Sequence, residues 1–240
     1  MPSSSPSAGF RSGLTASLPI TLGYLPIAFS FGVAATRAGL GAAEAVFLSL
    51  VMYAGASQFL ALALIGTGAP LAVSAVTLIA MNLRHVLYGP ALLKQAGADA
   101  RKKHAWAWAF GLTDEVFGTT LGVLARGQHR FSERFMFGIG LGAYASWVMG
   151  TALGAFAGGG ALEGFPTLDA ALGFMLPALF LALLLSVLRR AQLPLIAVAI
   201  GTTALVSWLV SPVAGIFSGM VAGAAIGMIR APRATKGNTA

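Results

Sequence analysis

The chain is a succession of apolar runs, most of them long enough to cross a bilayer, joined by short polar connections. A membrane-spanning helix needs about 20 predominantly apolar residues. Runs over Leu14–Ala35, Glu44–Ile65, Leu71–Leu93, Ala105–Leu124, Phe135–Phe156 and Ala170–Leu188 approach or meet that length. The last run, Leu193 to Ile229, holds two shorter helices with a natural break at Ser211-Pro212. In lipid every backbone polar group must be satisfied internally, so only helices and closed barrels span a membrane. The residue-by-residue alternation of a membrane strand is missing. The pattern therefore predicts an all-α polytopic integral membrane protein with seven or eight transmembrane helices.

Composition agrees. The chain is 57% hydrophobic and 9% charged, against about 25% charged residues in a soluble domain. Residues 1–13 read as a flexible N-terminal tail, 14–230 as a single transmembrane domain and 231–240 as a flexible C-terminal tail. The first run is longer than a signal-peptide core and reads as a retained helix. Net charge is +8, but the bases lie in loops and tails, where they set topology rather than bind nucleic acid. The Lys94–Lys103 cluster fits that topology poorly, which predicts a broken or re-entrant third or fourth span.

Enzyme signatures are missing. With no cysteine, a thiol nucleophile or iron–sulfur site is excluded. The chain has no phosphate-binding loop and no His-Glu-x-x-His. His85, His104 and His129 are not spaced as metal ligands. Asp114 has no second intramembrane Asp to form an aspartyl dyad. A non-enzyme without cofactor or metal is expected.

Two prolines sit inside apolar runs in similar settings. Leu25-Pro26-Ile27-Ala28-Phe29 is echoed by Leu176-Pro177-Ala178-Leu179-Phe180, each following a Gly-aromatic pair. Broken helices in inverted repeats are a transporter device, so Pro26 and Pro177 are candidate helix breaks or hinges. Gly215, Gly219, Gly223 and Gly227 recur every fourth residue, and Gly150, Gly154 and Gly158 repeat the spacing. Such stripes let backbones approach closely. They serve either packing within the chain or docking of a second subunit or another copy.

The polar groups inside the runs are the candidate site. An Arg at the centre of a span costs roughly 2.5–3.5 kcal/mol on insertion scales, so Arg84 needs a partner. It either binds a substrate carboxylate or pairs permanently with Asp114 or Glu115. Those two neighbours point about 100° apart on a helix, so one can pair while the other carries a proton. His85 is the alternative titrating group. Asn82 and His85 share a helical stripe with Gly89. Gly55, Ser57 and Gln58 form either a patch for a zwitterionic ligand or ordinary interhelical bonds.

These residues carry a family resemblance. Gly23-Tyr24-x-Pro26-x-x-Phe29, Ala54-Gly55-Ala56-Ser57-Gln58-Phe59, Asn82-Leu83-Arg84-His85 with Gly89, and Thr113-Asp114-Glu115 occur in the order and separation of the AzlC family. The chain resembles that family from Leu14 to about Ile229, with Tyr53 where a Phe is frequent. The resemblance implies a multi-pass protein of the bacterial plasma membrane that exports branched-chain amino acids. It also implies coupling to an ion gradient, most readily protons, and a small AzlD-type membrane subunit. A passive channel or facilitator, or a non-transporting scaffold subunit, is the alternative reading. A homo-oligomer is compatible with the glycine faces.

Overall fold

The computed structural model describes residues 9–97, 103–126, 131–158 and 190–230, with scattered positions between 164 and 188. All described regular structure is helical, and the chain divides into two compact units, Met1–Ala178 and Leu179–Ala240. In the first, the helices whose bounds are described are α1 (Phe10–Ala16), α2 (Leu18–Arg37), α3 (Ala42–Val51), α4 (Gly55–Gly66), α5 (Leu71–Ala96), α6 (Ala105–Phe110), α7 (Asp114–Ala125) and α8 (Glu133–Ala157). Of these, α2, α5 and α8 are long and apolar enough to cross a membrane; α3 and α4 are shorter apolar helices.

The first unit is built on α8. With no hydrophobic drive between helices in lipid, association depends on close packing of small residues. A Cβ at Gly150 would lie 2.7 Å from the carbonyl oxygen of Leu25, and one at Gly154 would collide with the carbonyl of Phe29. On the opposite face of the contact, Gly32 leaves room for the backbone of Thr151. Gly13 and Gly138 bring α1 equally close to the start of α8. Beside this seam Phe31, Ala35, Ala45, Leu62 and Ala155 form an apolar cluster, with Phe59 edge-on to Phe31 at 5.4 Å.

Helix α1 begins at Phe10, inside the expected tail, because Gly13 seats it against α8. The break expected at Pro26 is not there: α2 runs continuously through Pro26 while packed along α8. Pro19 instead occupies the first turn of α2, where a missing N–H costs nothing. Pro177 and most of the second copy of the proposed echo lie outside the described residues.

The interruptions fall elsewhere. The continuous span expected over Glu44–Ile65 is two helices, α3 and α4, separated by Met52, Tyr53 and Ala54. Ala54 is extended, with φ −153° and ψ 90°. The Tyr144 hydroxyl donates to the Leu50 carbonyl at 2.8 Å, satisfying an acceptor at the end of α3. Span four is also divided, into α6 and α7, at Gly111, Leu112 and Thr113. Thr113 caps α7 by accepting from the Val116 N–H at 3.3 Å, with Asp114 and Glu115 in the first turn. Both features favour a helix start there.

The second unit is an antiparallel hairpin of α9 (Leu193–Leu209) and α10 (Pro212–Arg230). Ser211 accepts from the Ala214 N–H at 3.2 Å. The glycine row lies against α9: Gly215 faces Ser207, Gly219 faces Thr203, Gly223 faces Ala199 and Gly227 faces Leu195. Each partner steps four residues back along α9, the register of two stripes in close contact.

Candidate functional site

The polar side chains of the first unit gather around its two interruptions. At the start of α7, Asp114 and Glu115 diverge, as adjacent helical residues must. Asp114 turns to α5, where its Oδ2 lies 2.8 Å from Arg84 Nη2 and its Oδ1 accepts from the Tyr88 hydroxyl. Tyr88 stacks on Phe117 with ring centroids 4.5 Å apart. Arg84 is 43% and Asp114 30% exposed. In this structure the Arg84 guanidinium pairs with Asp114.

Glu115 turns to α2. Its carboxylate accepts from the Tyr24 hydroxyl, which also lies 2.7 Å from Thr113 Oγ1. Tyr24 is buried, and its ring meets Trp147 edge-on at 5.2 Å. Among the described residues no cationic side chain is within pairing distance of Glu115; the ion pairs are Arg84–Asp114 and His104–Glu133. Both carboxylates sit at the positive end of the α7 dipole, which stabilises negative charge there.

A second polar chain crosses three helices. Gln58 is fully buried; its Nε2 donates to Ser49 Oγ at 3.0 Å and its Oε1 accepts from Trp147 Nε1 at 2.8 Å. Ser49 is in turn 2.7 Å from Thr151 Oγ1. Gln58 therefore ties α4 to α3 and α8. The Trp147 ring lies over Gly55, where a Cβ would collide with it. Ser57 is buried one position before Gln58.

On α5, Asn82 donates to the carbonyl of Leu78 at 2.9 Å, and His85 Nδ1 is 3.2 Å from the carbonyl of Asn82. His85 also packs edge-on against Tyr88 at 5.2 Å. Gly89 has open space where a side chain would be. The structure thus joins Arg84 with Asp114 and Gln58 with the face beside Gly55, while Asn82 bonds within its own helix.

Several contributors were not visible as site residues in the sequence: Ser49, Tyr144, Trp147 and Thr151. One signal was available for Trp147. Tryptophan favours the membrane interface, and this one lies mid-way along an apolar run. An interior Trp needs a partner for its N–H, and Gln58 provides it.

Apolar helices of spanning length, two interrupted helices and charged groups held between helices define a multi-pass membrane protein with a polar interior. Comparison with known proteins narrows that class. The AzlC protein family profile matches residues 19–160. The chain is 46% identical to the inner membrane protein YgaZ of Escherichia coli K12 over 226 residues, covering 94% of this chain and 92% of the relative. It is 41% identical to an uncharacterized membrane protein of Archaeoglobus fulgidus over 190 residues, 79% of this chain and 80% of the relative. It is 30% identical to the branched-chain amino acid transport protein AzlC of Bacillus subtilis over 179 residues, 73% of this chain and 66% of the relative. No solved structure matches the chain. The chain belongs to the AzlC family.

Proposed function

We propose that the protein is a secondary transporter of the bacterial inner membrane that exports branched-chain or related small apolar amino acids. The observation that carries this reading is the meeting of two interrupted helices, α3–α4 and α6–α7, around a carboxylate with no cationic partner among the described residues. Transporters place non-helical backbone and charged groups inside the membrane where they line a substrate path. The Bacillus relative's name supports the substrate class. In this reading α3–α4 and α6–α7 each cross the membrane once as a broken span.

The Arg84–Asp114 pair holds α5 to α7, and Glu115 is the group that exchanges a proton. A small AzlD-type subunit completes the transporter. The test is efflux of preloaded labelled valine from cells expressing the chain with and without that subunit. Export against a gradient that an uncoupler abolishes supports the reading; export only down a gradient replaces it with a passive facilitator. Arg84→Ala should reduce efflux at equal membrane expression, and unchanged efflux would remove the pair from the mechanism.

A further inference from the structure

Tyr53 carries the one buried side-chain polar atom among the described residues that has no hydrogen-bond partner. The residue is 8% exposed and sits in the interruption between α3 and α4. An unpaired buried hydroxyl is costly, and completing its bond recovers that cost. A buried group left unpaired in this way is a candidate to bond a molecule that enters the protein.

The surroundings say what that partner is. The Tyr53 ring lies 5.0 Å from Tyr144, 6.4 Å from Phe110 and 6.5 Å from Tyr24, and Trp147 closes the cluster behind Tyr24. Glu115 reaches the same cluster through Tyr24 and lies within electrostatic range of the Tyr53 hydroxyl. Aromatic faces attract a cation through the ring quadrupole, a carboxylate supplies the opposite charge, and a phenol oxygen accepts an N–H. A carboxylate ligand would meet Glu115 as a like charge.

We propose that this cluster binds a primary ammonium group, the α-ammonium of the amino-acid substrate, between Glu115 and the hydroxyl of Tyr53. The assignment of the ammonium to an amino acid rests on the transport reading above. The aliphatic part of the ligand has a place beside it. A groove of about 210 Å³ between α6 and α8 is lined by Trp108, Phe110, Phe137, Leu141 and Tyr144 among others. Phe110 and Tyr144 line the groove and also touch Tyr53. Phe110 is the last residue of α6, beside the interruption, so the groove and the Tyr53 ring meet at a helix end.

The test divides valine into its two halves. Isobutylamine keeps the ammonium and the branched chain; isovalerate keeps the carboxylate and the branched chain. Calorimetry on the purified chain should show isobutylamine binding in competition with valine, and no binding of isovalerate. Tyr53→Phe removes only the hydroxyl and should weaken isobutylamine by about 10-fold or more, as expected for a hydrogen bond to a charged group. The same variant should unfold at an equal or higher temperature, because an unpaired buried group is gone. Glu115→Gln should also lose amine affinity.

Binding of isovalerate in place of isobutylamine, or wild-type amine affinity in either variant, overturns the site. Amine binding without valine export would refute the amino-acid export reading and leave the ammonium site standing. Valine export without preference for the amine would do the reverse.

Discussion

Gln58→Leu tests whether the buried amide is a structural tie or a ligand contact, because its volume is roughly kept while its bonds are lost. Gln58 makes two bonds, to Ser49 at 3.0 Å and from Trp147 at 2.8 Å. Without it Ser49 keeps Thr151, so that end loses about 0.5–1.5 kcal/mol. Trp147 Nε1 is left buried and unpaired, a further cost of about 1–3 kcal/mol. Interhelical bonds in membrane proteins average only about 0.6 kcal/mol in double-mutant cycles, so a value toward the lower end of the summed range, about 2 kcal/mol, is expected. For a chain of this size that shifts the unfolding midpoint by about 4–8 °C, measurable by thermal unfolding in detergent. Adding Trp147→Phe removes the orphaned donor, so the double variant should be less destabilised than the two single effects combined. A Gln58→Leu protein with wild-type stability but a raised KM for export would refute the structural assignment and return Gln58 to the substrate.

Three further substitutions test the packing and the capped break. Gly154→Val puts a branched side chain into the Phe29 carbonyl, and overpacking of this kind costs about 1–3 kcal/mol; thermal unfolding should report a lower midpoint. Gly23→Ala in α2 meets nothing within 4 Å and should be neutral or slightly stabilising in the same assay. Thr113→Ala removes the α7 cap and should cost about 1 kcal/mol, with Thr113→Ser restoring most of it.

What the sequence revealed and what it hid divide along physical lines. Helix class and membrane character follow from run length and the scarcity of charge, which act locally and leave a readable pattern. The interruption at Gly111–Thr113 was legible too: in Gly-Leu-Thr-Asp-Glu a glycine marks a helix end and a capping Thr before two acidic residues marks a helix start. Reading Asp114 and Glu115 only as buried carboxylates passed over their second role in opening α7. The interruption at Met52–Ala54 carries no such signal, since its residues are compatible with a helix. Tyr144 and Trp147, about ninety residues away in sequence, stabilise it. Pro26 misled in the opposite direction. Proline weakens a helix locally, yet α2 is continuous along its contact with α8, so tertiary packing overrode the local preference.

The two neighbouring carboxylates lead to the sharpest consequence for coupling. Asp114 is bound to the guanidinium of Arg84 and to Tyr88, so its charge is matched inside the protein. Glu115 accepts from Tyr24 of α2, which also bonds Thr113, and is within electrostatic range of Tyr53 in the α3–α4 interruption and of Tyr88 on α5, all neutral groups. Among the described residues no cation pairs with it, which leaves its carboxylate open to a group that comes and goes. If the ammonium and a proton are alternatives at that one oxygen pair, they compete, and competition at a single site is the simplest coupling of outward substrate to inward proton. Lowering the pH on the substrate-binding side should then raise the apparent Kd for isobutylamine, because the protonated carboxyl no longer supplies the opposite charge. Glu115→Gln should bind the amine weakly at every pH, with no such dependence, whereas Asp114→Asn should retain it. A Glu115→Gln protein whose amine affinity still fell as the pH was lowered would move the coupling group elsewhere, with His85 the next to test.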